Sequence, residues 1–429
     1  MRLGGRLGGA IDVLKDIEDR RRPVADALKD WGLAHRFAGS GDRAAIGNIV
    51  YDALRMRLSH AWLMGDDTPA ALAYAVLIRQ WGFSPESLAA EFADDRFAPP
   101  PVSEAQLSAL SSRTLDDAPL HVQGDIPDWI QPAFERAFGE AWLAEARAFT
   151  QRPTLDLRAN TLKATRDKVV KALERSGALP AMIAPNGIRI PAGEGASRLP
   201  NVTAELSFQK GWFEVQDEGS QIVAELAHPG EHDQVLDFCA GGGGKTLAMA
   251  AAMNNKGQVH AYDADRKRLA PIIERLRRAG TRNVQVHDDV RQLAALKEKL
   301  DVVLVDAPCT GTGTWRRRPD TKWRLTQKNL EERVAQQQDA LAEASNYVRP
   351  GGSLVYITCS VLPDENEQQI ERFCKVHPQF SPEPLMEAWN TQFGASSPRP
   401  HFREDRSVTL TPASTGTDGF FFCLMRRNG

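Results

Sequence analysis

Two cysteines close apolar, β-like runs fifty residues apart: Cys309 ends DVVLVDAPC and Cys359 ends SLVYITC. If the two runs are neighbouring parallel strands, both thiols emerge at one sheet edge, because adjacent strands lie about 4.8 Å apart. Such a pair suits a redox couple, a metal site or covalent catalysis. A metal is disfavoured, because no partner histidine sits near either cysteine. Redox exchange ordinarily uses a CxxC pair, and the chain has none. Covalent catalysis needs one thiolate as nucleophile and leaves the second for proton removal or release. Spacing alone does not separate those roles. Asp306, just before Cys309, adds a carboxyl group at the same edge that can hydrogen-bond a substrate ring.

A glycine-rich turn supplies the second feature. The run VLDFCA passes into GGGGKT and then a helical pattern, so a ligand can approach the backbone closely at a helix N-terminus. A Walker loop would need glycine at Cys239, and a dinucleotide fingerprint would need it at Thr246. What remains is an adenosine-binding loop without phosphate recognition, built from Cys239, Ala240, Gly241, Gly242, Gly243, Gly244 and Lys245. Asp263 ends the next strand and is placed to accept both ribose hydroxyls. Asp289 ends the strand after that, near an adenine, and Asp237 ends the first. Helix capping is the ordinary alternative for any one of them. Three at successive strand ends point to a site.

These groups need a scaffold, and the chain supplies one from about residue 218 onward. Strands HDQVLDFCA, GQVHAYD, NVQVHDD, DVVLVDAP and GSLVYITCS alternate with helical segments, including ADRKRLAPIIERLRRAG and a long helix near 327–347. That order predicts a mostly parallel sheet covered by helices, with function at the strands' carboxyl ends. SVTLTP and GFFFCLMRR read as closing strands. Residues 150–217 read as a small α+β module: the strand TLDLRAN, the helix TRDKVVKALERSG, and the hairpin AMIAPNGIRIPAG around an Asn-Gly turn. Residues 1–145 read as all-helical, with apolar spacing at Ile11, Leu14, Ile17, Val24, Leu28, Ile46, Val50 and Leu54. Turn-like breaks fall at 39–42, 65–69 and 98–104.

Composition narrows the classes. At 429 residues the chain exceeds one ordinary core. No run is long and apolar enough for a membrane span, and no apolar leader core follows the first residues. Five scattered cysteines, an odd number without CxxC, argue against a disulfide framework. A reducing cytoplasm and a monomer are expected. The net charge of −3 gives no global pull on nucleic acid, so any such binding must be local. One local patch stands out after Cys309: Arg316, Arg317, Arg318, Lys322 and Arg324 interleave with Trp315 and Trp323. Cations beside aromatic faces suit unpaired RNA. A tryptophan in such a loop is as often core packing, so neither is assigned to stacking.

One reaction uses all of these groups. Carbon 5 of cytosine is a poor nucleophile toward a methyl sulfonium. A thiolate added at carbon 6 makes the ring an enamine that can attack the methyl group. Loss of the carbon-5 proton then expels the thiolate. The base must be unpaired or flipped out to react.

The stretches DFCAGGGGKT, DAPCTGTGTWRRRPDTKWR, ITCSVLPDENE, VQDEGSQ, LRANTLK and TDGFF together resemble the RsmB/Sun (Fmu-type) family of S-adenosylmethionine-dependent RNA cytosine-5 methyltransferases. The resemblance covers about residues 150–429. It implies a Rossmann-like catalytic domain with a seven-stranded sheet over 218–429, an RRM-like module over 150–217 and a NusB-like RNA-binding domain over 1–145. It also implies Cys359 as nucleophile, Cys309 in product release, and Lys245, Asp263, Asp289, Asp306 and Arg268 at cofactor or active-site positions. The expected substrate is small-subunit ribosomal RNA, with transfer RNA as the alternative. DNA methylation is disfavoured, since the DNA enzymes use the Pro-Cys thiol and lack the Thr-Cys motif. A non-catalytic RNA-binding assembly factor is the alternative of another class. In one respect the chain departs from the family: Gly241 and Gly242 replace an Ala-Pro pair. Without proline to fix φ, a less preorganised loop is expected.

Overall fold

The computed structural model describes residues 1–429. Two compact units divide the chain. One comprises 1–153, 192–199 and 314–325, and the other comprises 154–191, 200–313 and 326–429. No helix is long and apolar enough to cross a membrane.

The first unit is helical, and its helix starts follow the local chemistry. Thr68 accepts from the Ala71 N–H ahead of Pro69, and Ser84 accepts from Ser87 ahead of Pro85. Each hydroxyl satisfies one of the donors that a helix start leaves open. Ser103 and Gln106 form a reciprocal capping box for Glu104–Ser112. Helix Leu3–Arg20 carries two Gly-Gly pairs, which costs helix propensity. Gly9 shows one reason for them: a Cβ there would stand 2.6 Å from the Trp31 ring. Ile11, Leu14, Ile17, Val24, Ile46, Val50 and Leu54 all enter the core, with Leu28 packed at its margin.

Segment 314–325 is part of this helical core. Trp315 is fully buried, stacked on Phe134 at 5.9 Å and edge-on to Phe149. Lys322 is equally enclosed, and its Nζ donates to the Arg55 carbonyl at 2.9 Å. Trp323 Nε1 donates to the Leu54 carbonyl at 2.6 Å. The Arg316 carbonyl accepts from Arg55 Nε at 2.7 Å.

The second unit contains two sheets. In the small antiparallel one, strands β1 (Leu155–Ala159), β2 (Leu179–Pro180), β3 (Gly187–Ile190) and β4 (Phe213–Val215) run in the order β2-β3-β1-β4. The β2–β3 hairpin exists, but six residues connect its strands and Gly187 opens β3. Neither Asn186 nor Gly187 has positive φ, so the tight Asn-Gly turn expected from sequence does not form.

The large sheet holds nine strands rather than seven. They are β5 (Gln234–Asp237), β6 (Gln258–Tyr262), β7 (Val284–His287), β8 (Leu300–Asp306), β9 (Val348–Thr358), β10 (Phe380–Pro382), β11 (His401–Arg403), β12 (Ser407–Leu410) and β13 (Phe420–Arg427). The order is β11-β12-β13-β9-β8-β5-β6-β7, with β10 also paired to β13. Strands β5 to β9 are parallel, and the four later strands join antiparallel. The extra strands are the three-residue β10 and β11, too short to leave a periodic signature. The central parallel strands β5, β8 and β9 are buried on both faces over most of their length and read as apolar runs, whereas the edge strand β7 exposes Gln285. The expected helix over 264–279 is two pieces, Arg266–Leu269 and Ile272–Ala279. Pro271 between them cannot donate to the helical ladder.

Strand order reverses between β5 and β8. From β5 the chain moves outward through β6 and β7, then returns to β8 on the other side. The crevice beyond the carboxyl ends of β5 and β8 is where an open α/β sheet binds ligands. Asp237 ends one of these strands and Asp306 the other.

Candidate active site

Register brings the two cysteines together. β8 and β9 pair in parallel, with Asp306 opposite Ile357, and the Ala307 N–H donates to the Ile357 carbonyl at 2.9 Å. Beyond this last bond the strands end, and Cys309 and Cys359 meet with their sulfurs 3.2 Å apart. No disulfide joins them. The hydrogen bond shared with Cys359 and burial push the Cys309 thiol well above its ordinary range. At neutral pH Cys309 is therefore a thiol, a group that can donate or hold a proton.

Two consecutive residues fix the cysteine segments. Glu365 is fully buried and accepts from the Thr310 N–H at 2.8 Å and its hydroxyl at 2.5 Å. Gln337, on the helix Gln327–Ser345, donates to the same carboxyl at 2.9 Å and to the Pro308 carbonyl. Burial raises the Glu365 pKa, while these donors oppose the rise. Asn366 takes the other segment: its Oδ1 accepts from Thr358 Oγ1 at 2.7 Å, and its Nδ2 donates to the Ser360 carbonyl at 3.0 Å. Glu365 thus anchors the Cys309 side and Asn366 the Cys359 side. The Gly313 N–H closes the arrangement by donating to the Cys359 carbonyl at 2.9 Å. Glycine is required there, since a Cβ would stand 2.1 Å from the Gly419 carbonyl oxygen.

Asp306 lies at the same strand ends, and its Oδ2 accepts from Lys245 Nζ at 2.7 Å. Lys245 comes from the first turn of the helix Gly244–Ala252, and its ammonium lies 5.4 Å from the Phe420 ring. The glycine loop and the cysteine edge are therefore one site. The motifs VQDEGSQ and TDGFF meet beside it: Asp217 caps the helix Glu218–Ala227 and accepts from the Asp418 N–H at 3.3 Å.

The glycine loop has the shape of a ligand cradle. Gly241 and Gly243 have φ of 51° and 81°, values that favour glycine. A Cβ on Gly243 would strike Ile272 at 2.5 Å. The Ala240 N–H pairs with the Tyr262 carbonyl, and the Gly243 N–H with the Ala240 carbonyl. Burial pushes the Cys239 thiol up, so it behaves as an inert core group. Asp263 accepts from the Gly241 and Asp265 N–H groups at 2.9 and 2.8 Å. Arg268 approaches the same carboxylate at 3.8 Å and is half exposed. Asp237 is buried, accepts from Thr246 Oγ1 at 2.7 Å, and has its other oxygen unpartnered. Burial pushes its carboxyl up to about 7. Asp289 has another environment: it accepts from the backbone N–H and guanidinium of Arg291, and those bonds lower it to about 2.

The residues expected to meet RNA divide by exposure. Arg316 and Lys322 are buried within the helical unit, at 3% and 1% exposure, and cannot present their charge to a phosphate in this conformation. Arg318 and Arg324 are exposed and Arg317 is half-buried; Arg324 pairs with Asp320 at 2.6 Å. Neither spacing nor motif in the sequence marks Glu365, Asn366 or Gln337 as site residues. The only sequence signal for Glu365 and Asn366 is an acidic-amide run directly after an apolar strand.

Comparisons with known proteins bear on the family and the fold. Residues 224–426 match the family model described as 16S rRNA methyltransferase RsmB/F, and residues 126–193 match the ferredoxin-like domain of RsmF/B-like methyltransferases. The probable ribosomal RNA small subunit methyltransferase B of Synechocystis sp. is 34% identical over 314 residues, 72% of this chain and 68% of that protein. Ribosomal RNA small subunit methyltransferase B of Enterobacter sp. is 34% identical over 304 residues, which span 63% of its length and 70% of this chain. The crystal structure of PH0851 superposes with a TM-score of 0.75 at 23% identity, covering 100% of this chain and 99% of that one. At that identity the superposition establishes the fold. Sequence identity and coverage establish the family: the chain belongs to the RsmB/F methyltransferases.

Proposed function

We propose that the protein methylates carbon 5 of a cytosine in small-subunit ribosomal RNA through a covalent adduct on Cys359. The observation that carries this reading is the pair of thiols 3.2 Å apart at adjacent strand ends, beside the Asp306–Lys245 pair. The substrate class rests on the family and on the names of the relatives. S-adenosylmethionine supplies an electrophilic methyl group when bound. The residues fit it: Gly241 and Gly243 open the backbone, Asp263 offers a carboxylate for ribose hydroxyls, and the unpartnered Asp237 oxygen remains at the strand end. Asp289 and Arg268 border the adenosine side in this reading.

The chain's own groups then divide the work on the cytosine. Cys359 enters as thiolate and forms the Sγ–C6 bond, which shifts electron density to carbon 5. Asp306, held by Lys245, accepts a hydrogen bond from N3–H once water has supplied the proton that N3 takes up as the Sγ–C6 bond forms, and that proton returns to water on release. After carbon 5 is alkylated it still carries its hydrogen. As the Sγ–C6 bond breaks, Cys309 gives its thiol proton to the departing Cys359 sulfur 3.2 Å away and takes up the carbon-5 proton in its place, which restores the C5–C6 double bond. The exposed Arg318 and Arg324, with Arg317, are the cations assigned to phosphate contact. The helical unit, NusB-like in the sequence reading, is assigned RNA docking. The protein is taken to act as a cytoplasmic monomer.

Wild type, Cys309→Ala and Cys359→Ala are incubated with small-subunit ribosomal RNA and S-adenosylmethionine and run on a denaturing gel. Cys309→Ala is expected to accumulate a slow, nuclease-sensitive protein–RNA band. Cys359→Ala is expected to give neither the band nor 5-methylcytosine. A trapped band with Cys359→Ala instead reverses the two roles.

A further inference from the structure

Four successive glycines are the most costly backbone to order in a binding loop, because each loses more freedom than any other residue. In 241–244 no side chain restricts φ, so whatever holds the loop must come from outside it. The Gly241 N–H is held by Asp263 and the Gly243 N–H by the Ala240 carbonyl. Gly242, at the centre, is held by one side chain: Arg275 Nη1 donates to its carbonyl at 2.6 Å.

Arg275 is itself fixed. Its Nε and Nη2 converge on the single oxygen Oε2 of Glu214 at 3.2 and 3.1 Å, which leaves Nη1 of the same planar guanidinium for the loop carbonyl. Glu214 lies on β4 of the small sheet, is nearly inaccessible, and also accepts from Arg278 Nη2 at 2.6 and 2.8 Å. The small module further grips the end of the helix that carries Arg275. Asn160 Nδ2 donates to the Ala279 carbonyl at 2.8 Å, and Lys163 Nζ to the Arg278 carbonyl at 2.7 Å. Those carbonyls are among the acceptors a helix C-terminus leaves open, and a lysine also suits the negative end of the helix dipole. Gly211 lets the two backbones touch, since a Cβ there would stand 1.9 Å from the Arg278 carbonyl oxygen. Asn160 and Lys163 belong to LRANTLK, a motif that the catalytic chemistry does not use.

We propose that Arg275 is a positioning residue for the cofactor loop, and that the small α+β module braces that loop through Glu214, Asn160 and Lys163. The inference rests on the reading of 239–245 as the S-adenosylmethionine loop. If the brace holds the loop in its binding-competent form, removing it lowers the competent fraction and weakens binding in proportion.

The test is calorimetric titration of wild type, Arg275→Gln and Glu214→Gln with S-adenosylhomocysteine, alongside hydrogen exchange of the 241–245 amides without ligand. Both variants are expected to bind about tenfold more weakly, with faster exchange confined to the loop and the adjoining helix end. In turnover, KM for S-adenosylmethionine should rise more than kcat falls, with KM for RNA unchanged, a split that general loss of structure does not produce. If Arg275→Gln does not fold, the isosteric Glu214→Gln decides alone. Wild-type dissociation constants and unchanged loop exchange in the folded variants overturn the brace while leaving the cofactor reading intact. Failure of the wild type to bind the nucleoside overturns the cofactor reading itself, and the brace with it.

Discussion

Residues 301–313 and 314–325 are consecutive in the chain, and residue types mark both as functional, yet the structure uses them differently. The first stretch is β8 and its exit, which sets Asp306 and Cys309 at the sheet edge beside Cys359. The second, with its arginines, lysine and tryptophans, looks like an RNA-facing loop. Instead it sinks Trp315, Arg316 and Lys322 into the helical unit. Strand ends are placed by a period that sequence displays. Charge in a loop carries no such placement, because a buried cation needs only partners, and for Lys322 that partner, the Arg55 carbonyl, lies more than two hundred residues away in sequence.

The largest effect that would break this contrast is on stability. Trp315→Ala removes a ring packed against Phe134 and Phe149 and should destabilise the protein by about 3–5 kcal/mol, the usual cost of a large aromatic deletion in a core. A denaturant midpoint close to that of the wild type would mean that the ring is not a core group.

Lys322 offers a sharper test through pH. Burial lowers its pKa to about 8 from the usual 10.5. Between those values the unfolded chain holds a proton that the folded one has lost, so this residue makes stability rise with pH across the window. Relative to Lys322→Met, the wild type should gain up to about 3 kcal/mol between pH 8 and 10.5, read from paired melts. A flat difference curve would place the ammonium in water.

The smallest effect belongs to the exposed member of the run. Arg318→Ala should leave stability within about 0.5 kcal/mol of the wild type. It should also reduce the salt slope of RNA binding by about 1, as expected for one lost phosphate contact. An unchanged salt slope would remove Arg318 from the interface.

The same contrast explains what was legible in the sequence. The apolar runs at 235–237, 259–262, 302–305 and 353–358 read as parallel strands because they are buried, and the cysteines and aspartates at their ends follow. The two short extra strands, β10 and β11, had too few residues to show a period. The break at Pro271 was visible as a proline, but periodicity on both sides suggested one helix. Glu365, Asn366 and Gln337 were not legible as site residues, since their importance lies in hydrogen bonds to Thr310, Thr358 and Ser360 across the sheet edge. The tight turn expected at Asn186-Gly187 failed because the six-residue connection relieves any need for positive φ.

The central claim is that two thiols at adjacent strand ends divide one reaction, Cys359 bonding to the base and Cys309 releasing it. The most direct measurement is mass spectrometry of the species trapped by Cys309→Ala, digested with nuclease and protease. The account predicts a methylated cytidine nucleotide attached to the peptide that contains Cys359. Attachment to any other residue, or a trapped nucleotide without the added methyl group, would contradict it.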